Sequence, residues 1–395
     1  MARNDPHGFS SDRPINKIEE DLLNRSGFSN DLAKALASWH GNDSLVIALN
    51  GEWGSGKSSI KNMAISQFDA INLYKPRIIE FSPWEWAAQK KITTAFFDEV
   101  SKSVNRVDKS KEGKKLASTL KKYGQYLSTS ELVASGLAKA LPTLFVFASI
   151  SGLGTYFINN PYLKGLSASF IGVFLLWAGF LKWGEKILSK LSINIETSAK
   201  ENELSLNEIR QGLTLLLSKR SSPLIIILDD IDRLTSKQLK MVLQLVKANS
   251  EFPNVVFLLL YQQDLVEGKL TDSTQSGREY LEKIIQVPLN VPTIETSRIQ
   301  KILFDKLDEI LDQEKSAIDA FDSHYWGEIF YGSLHVYFNN LRDVYRFTST
   351  FSFHFNLLKG TSSYEVNPVD LIAIECLRVF EPAVYKEIAR SKNIF

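Results

Sequence analysis

Cysteine is almost absent from this chain of 395 residues: Cys376 is the only one. No intramolecular disulfide can form, and a reducing compartment is a natural setting. Cys376 sits in an apolar helical stretch and reads as a core residue rather than a nucleophile. A dominant charge sign is also missing. Lys and Arg number 46 against 45 Asp and Glu, so the net charge of +1 gives the whole chain no bias towards nucleic acid or acidic ligands. Histidine is scarce. His7, His40, His324, His335 and His354 show no metal-ligand spacing. The N-terminal MARNDPHGFSSDRP lacks the apolar core of a secretion signal. No N/T-K-x-D sequence for reading guanine occurs.

What is present begins with Gly51-Glu52-Trp53-Gly54-Ser55-Gly56-Lys57-Ser58. It fits G-x-x-x-x-G-K-[ST], the Walker A phosphate loop. The apolar run Leu45–Leu49 before it predicts a strand, and Ser58 to roughly Phe68, free of Gly and Pro, predicts a helix. Backbone N–H groups of such a loop point at phosphate oxygens, and the helix N-terminus adds partial positive charge. Gly51, Glu52, Trp53, Gly54, Ser55, Gly56, Lys57, Ser58 and Ser59 are therefore the candidate nucleotide-binding residues. Lys57 would reach the β- and γ-phosphates, and the Ser58 hydroxyl would ligate Mg²⁺.

A second signal lies far downstream. Ser222–Asp230 is a continuous apolar run ending in two carboxylates. Apolar residues on both faces predict a central strand of a covered parallel sheet, with the acids at the end where such sheets bind ligands. This is the Walker B pattern. Asp229 is the expected Mg²⁺ ligand and Asp230 the group that polarises the attacking water. Asp232 and Arg233 extend the run to DDIDR; the arginine could complete the site, bind a neighbouring acid or serve a partner subunit. Arg77–Phe81 and Asn254–Tyr261 are further strand candidates, and a helix is expected from Ser236 to about Ser250. Gln262, Gln263 and Asp264 compete as a γ-phosphate sensor at the end of the last strand. Val266–Gly277 reads as a polar loop, and Asn105–Lys122 as a solvated linker or helix.

Two long apolar segments with uncharged interiors stand between these halves. Residues 141–158 and 163–183 contain no acidic residue and approach the roughly 20 residues that cross a bilayer. Asn159-Asn160-Pro161-Tyr162 connects them tightly, which predicts a helical hairpin. Lys114, Lys115, Lys121, Lys122 and Lys139 precede it, Lys182, Lys186 and Lys190 follow, and the turn contributes only Lys164. Both flanks should then be cytoplasmic.

The motifs together resemble the KAP P-loop NTPases, in a membrane-associated bacterial form. The resemblance rests on Ser11–Ile15, Asp21–Arg25, GEWGSGKSS, FSPWEW at Phe81–Trp86 and IIILDDIDRL at Ile225–Leu234. It continues through Tyr280–Pro292, NLRDVYRF at Asn340–Phe347 and Val369–Pro382. It implies transmembrane helices inserted between the Walker motifs, an additional strand between the Walker strands (matched here to Arg77–Phe81) and an NTPase on the cytoplasmic face. Some bacterial members belong to phage-defence systems. The resemblance also implies a functional arginine within NLRDVYRF, where Arg342 and Arg346 lie four apart and would share a helix face; it does not choose between them. Arginine there would stabilise transition-state charge.

The expected fold is α/β: a P-loop NTPase with a mostly parallel sheet, an inserted transmembrane hairpin and a C-terminal helical region. The expected division is a helical leader over 1–44, the core over 45–130 and 191–295, the hairpin over 131–190 and the helical region over 296–395. The expected activity is Mg²⁺-dependent hydrolysis of ATP in a regulatory or antiviral role, with an alternative: a nucleotide-gated scaffold that recruits partners with little turnover. The expected location is the inner membrane, multi-pass, with termini and core cytoplasmic. The expected partners are nucleotide, the bilayer, and further copies of the chain or an effector; nothing in the sequence argues for direct nucleic-acid binding.

Overall fold

The computed structural model describes residues 12–39, 43–71, 76–87, 92–127, 206–273, 275–359 and 364–391. The hairpin segments 141–158 and 163–183 lie outside the described residues. Among the described residues, no helix is long and apolar enough to cross a membrane.

The first half runs α1 (Ser26–Ala37), β1 (Leu45–Asn50), α2 (Lys57–Ile71), β2 (Arg77–Phe81), α3 (Pro83–Ala87) and α4 (Ile92–Val107). Residues 111–127 (α5) and 206–218 (α6) are helical. Next come β3 (Leu224–Leu228), α7 (Ser236–Ala248), β4 (Val255–Tyr261), α8 (Gln263–Leu270), α9 (Gly277–Glu282) and β5 (Val287–Asn290). The remainder is helical: α10 (Thr296–Leu311), α11 (Lys315–Asp319), α12 (Ser323–Gly332), α13 (Leu341–Leu357), α14 (Pro368–Phe380) and α15 (Pro382–Arg390).

The strands form one five-stranded sheet in the order β2-β3-β4-β1-β5. Every neighbouring pair is parallel. β3 and β4 are buried along their whole length, as continuous Val/Ile/Leu runs require when helices cover both faces. Alternation sorts their side chains. Val46 and Ala48 of β1 pack with α4, α5 and α7 on one side, whereas Ile47 and Leu49 pack with α1 and α2 on the other. A third core, rich in phenylalanine, is built from α10 to α14, with Leu23 and Ile294 packed against it.

Several expectations change. The strand separating the two Walker strands in the sheet is Val255–Tyr261; Arg77–Phe81 lies between them in sequence but takes the sheet edge beyond β3. β5 is an additional strand, short and only half-buried, with Pro288 on an edge where its missing N–H costs no ladder bond. Val266–Gly277 is not simply a loop, because Val266 and Leu270 are buried on one face of α8. Within 105–122, Leu116, Ala117 and Leu120 join the core, which settles the linker-or-helix alternative towards helix. Residues 12–25 are largely non-helical, with one short 3-10 turn at Ile18–Glu20, and α1 starts at Ser26. Cys376 is buried.

The register sets the site. Asn50 pairs with Tyr261, and Leu228 with Leu259. The segments leaving β1 and β3 therefore emerge at the same edge of the sheet, where open α/β sheets bind ligands.

Candidate functional site

The phosphate loop leaves β1 at Asn50 and enters α2 at Lys57. Gly54 and Gly56 turn it with φ of +80° and +88°. Side chains rarely adopt these angles, and there is little space for one. A Cβ at Gly56 would stand 2.9 Å from an Arg25 guanidinium nitrogen, and a Cβ at Gly54 would stand 3.0 Å from Asn340 Oδ1. The loop is thus braced from two sides. Arg25, only 5% exposed, donates to the carbonyls of Ser55 and Pro292. Asp21 caps the start of α1, accepting from the N–H of Arg25 at 2.6 Å and of Ser26 at 2.8 Å.

Lys57 Nζ donates to the carbonyls of Gly51 at 2.7 Å and Glu52 at 3.0 Å. Burial pushes its amine below the ordinary lysine range, against the pull of Asp232, Asp229 and Asp230; nearby Arg342 acts in the same direction as burial. Three carboxylates and one arginine therefore surround the ammonium within electrostatic reach.

β3 delivers the acids. Ser58 Oγ donates to Asp229 Oδ2 at 3.3 Å, joining residues 171 positions apart. Asp229 Oδ1 accepts from the Asp230 N–H at 2.9 Å. Burial raises the Asp229 carboxyl above the usual range; Lys61 opposes this, Asp230 adds to it, and the bonds from the Asp230 N–H and Ser58 oppose it. Lys61 is itself held by Glu80 at 2.5 Å. Asp230 adopts a left-handed backbone, φ +58°, uncommon for a residue with a side chain. Its Oδ1 lies 3.0 Å from Arg233 Nε. Asp232 Oδ2 accepts from the Gln262 N–H at 3.0 Å, tying the acidic run to the end of β4.

These groups face a cleft of about 840 Å³. Trp53, Gly54, Gly56, Lys57, Ser58, Ser59, Asp229, Asp230 and Arg342 all line it. Gly51, Glu52 and Ser55 do not; they shape the loop from behind through their carbonyls. The two arginines of NLRDVYRF separate. Arg342 Nε bonds Asp12 Oδ2 at 2.5 Å at the cleft, whereas Arg346 lies with its guanidinium carbon 5.9 Å from the Phe380 ring centroid, outside the lining. Gln262, Gln263 and Asp264 are not in the lining either; Gln263 Oε1 accepts from Asn50 Nδ2 at 3.4 Å. Sequence alone gives Asp232 a place in DDIDR but no role, and none to Asp12, Arg25 or Lys61. Asp12 and Arg25 lie within Ser11–Ile15 and Asp21–Arg25, and Lys61 within α2; the fold supplies their partners, which are Arg342, the carbonyls of Ser55 and Pro292, and Glu80.

The donor set suits Mg²⁺. A hydroxyl and a carboxylate oxygen face each other, both are hard ligands, and a desolvated carboxylate gains most from a cation. Among the described residues no cluster of three or more His, Cys, Asp or Glu side chains is placed to hold a metal. The loop fits phosphate because Gly54 and Gly56 take the positive φ angles that let successive backbone N–H groups face an anion.

The model of the KAP family P-loop domain matches residues 25–358. The chain belongs to the KAP family. It is also 19% identical over 288 residues to the phage T7 exclusion protein of Escherichia coli strain K12, covering 71% of this chain and 34% of that protein. This KAP chain therefore spans about a third of the length of that relative. Among solved structures, that of the Aeropyrum pernix ORC1 protein in complex with DNA matches at 12% identity and a TM-score of 0.38, over 91% of this chain and 66% of that one. At that level the likeness carries no argument about ligands. The KAP assignment rests on the family match, and the sheet order and phosphate loop described above stand on their own.

Proposed function

We propose that this KAP-family chain is a membrane-anchored, Mg²⁺-dependent nucleoside triphosphatase that uses ATP. The observation that carries the reading is the meeting of Ser58 with Asp229 beside Lys57, at the common end of β1 and β3. Lys57 would exchange its loop carbonyls for the β- and γ-phosphates. Ser58 and Asp229 would hold Mg²⁺, which when bound would offset charge on the β- and γ-phosphates. Asp230 would orient and polarise the attacking water, and Arg342 would offset charge growing on the γ-phosphate. Pro14, Ile15, Met63, Leu341 and Tyr345 give the cleft an apolar wall suited to a flat base. ATP is preferred over GTP because the chain has no guanine-reading motif.

Support for the membrane comes from the sequence of 141–158 and 163–183 and the lysines around them. On this reading the protein would sit in the inner membrane with the core and both termini cytoplasmic. A role in defence is suggested by the family resemblance and by the name of the phage T7 exclusion protein, of which this chain matches about a third. Turnover would drive conformational change or assembly, with further copies or an effector as partners.

A second reading is a nucleotide-gated scaffold with little turnover. One observation favours it: Arg233 occupies the Asp230 carboxylate, so the water-polarising group is engaged. Phosphate release from the purified full chain in nanodiscs, with ATP and GTP side by side, separates the two. Steady release that falls about 100-fold or more in Lys57→Ala and Asp230→Asn is expected. Tight binding with no release from the wild type would leave the scaffold.

A further inference from the structure

Four motifs that are far apart in sequence meet at the tip of the phosphate loop. The Arg233 guanidinium carbon lies 5.1 Å from the Trp53 ring centroid, and that of Arg342 lies 5.3 Å from the same ring. Arg233 also lies 5.5 Å from the Trp84 ring centroid. Both rings are largely open to solvent, Trp53 at 58% and Trp84 at 50% exposure. An indole so exposed contributes little to a core; its measurable work here is holding cations. The two cations it holds differ in origin. Arg233 follows the acidic run after β3 and grips Asp230 at 3.0 Å, whereas Arg342 opens α13 and grips Asp12 at 2.5 Å. Gly54, next to Trp53, approaches Asn340 and Arg342 so closely that a Cβ there would lie 3.0 and 3.5 Å from them.

We propose that Trp53 is a positioning residue: its indole sets the two arginines against the phosphate loop, so that the helical region distinguishes a bound triphosphate from a diphosphate. The phosphate loop is the part of the chain that a γ-phosphate rearranges most directly, because Lys57 must leave the carbonyls of Gly51 and Glu52 to meet it. A ring rooted in that loop moves with it. Arg342 rests on the ring and on Asp12, and a guanidinium without those two contacts has many rotamers to lose before it can meet a phosphate. Trp84 keeps Arg233 in the same assembly from the other motif. Trp53 thereby converts occupancy of the loop into the position of α13.

This inference rests on the triphosphatase reading for its ligand, but not on turnover. The test is equilibrium binding of a non-hydrolysable ATP analogue and of ADP, each with Mg²⁺, to the full chain in nanodiscs. Trp53→Ala should lower the preference for triphosphate over diphosphate by about three- to tenfold, and Trp53→Phe should retain most of it. In an Arg342→Ala background, Trp53→Ala should add little further loss, because both act through one contact. Equal loss in Trp53→Phe and Trp53→Ala, a fully additive double variant, or equal weakening of both nucleotides would overturn the proposal. A wild type that binds with the expected preference but releases no phosphate would remove the triphosphatase reading and leave this one standing. A wild type that binds neither nucleotide removes both.

Discussion

The two halves of the cleft hold their residues by different physics. On the sheet side, Lys57, Ser58 and Asp229 sit within a few residues of strand ends, and the parallel register of β1, β4 and β3 fixes their separation. Backbone hydrogen bonds and apolar cores packed on both faces of the sheet enforce that register. On the helical side, Arg342 reaches the cleft from the first turn of α13, with Asp12 and Trp53 as its partners. Its support is a separate aromatic core, in which Phe351 lies 5.9 Å from Phe347 and 5.7 Å from Phe355 by ring centroids. The first half is set by the fold; the second is set by side-chain contacts that can be exchanged. On the proposed reading, nucleotide would be held by the first half and sensed by the second.

The strongest way to break that contrast is to damage one core only. Phe351 is fully buried in α13, so Phe351→Ala should cost about 3–5 kcal/mol, and the loss should fall on the helical region. Urea titrations followed by fluorescent-nucleotide binding and by phosphate release should then separate, with release lost at lower urea. Coincident curves would show that the two regions unfold as one unit and that the contrast is only geometrical.

A pH titration sharpens the sheet side. Burial raises the Asp229 carboxyl, so on acidification it takes up a proton sooner than an ordinary aspartate. Mg²⁺ needs the ionised form, so Mg²⁺-dependent binding should fade as pH drops through the raised pKa, with about a tenfold loss for each further unit. Asp229→Asn should remove this acid limb together with the Mg²⁺ dependence. The sign reverses for the metal-free protein. Its folded state binds the proton more tightly than its unfolded state, so Asp229 lowers stability as pH rises from the ordinary carboxylate range to the folded value. An acid limb unchanged in Asp229→Asn would assign the titration elsewhere.

The same division explains what could be read from the sequence. The phosphate loop and the acids after β3 were legible because each is a local pattern: apolar strand, then polar turn. The edge position of Arg77–Phe81 was not, since its apolar character suits a central strand as well, and only pairing places it beyond β3. β5 escaped because four residues, one of them proline, alternate between half-buried and exposed and give a weak signal. α8 escaped because two apolar residues four apart are its only buried positions. On the helical side, the spacing of Arg342 and Arg346 left both open. What distinguishes them is the neighbours: Asp12 and Trp53, hundreds of residues away in sequence, for Arg342, and Phe380, from the following helix, for Arg346. Arg25 was visible within a motif, but nothing local says that it donates beneath the phosphate loop.

The finest test compares two side-chain helix caps, one in each half. Thr235 caps α7 in the sheet half, where its side chain and that of Gln238 satisfy each other's backbone N–H groups. Asn340 caps α13 in the helical half, accepting from the Asp343 N–H at 3.1 Å. Replacing either by alanine leaves one end donor unsatisfied, and each should cost about 1 kcal/mol of stability. Only Asn340 also meets the phosphate loop, where its Oδ1 is the atom nearest a Cβ built on Gly54. If α13 is the element that responds to the loop, Asn340→Ala should change the triphosphate-over-diphosphate preference by about two- to fivefold, while Thr235→Ala leaves it within error. Matched stability with unmatched nucleotide preference would assign the response to the seam between loop and helix. Equal changes in both would mean that the helical side responds only to global stability, and that its arginine is held as firmly as the residues on the sheet.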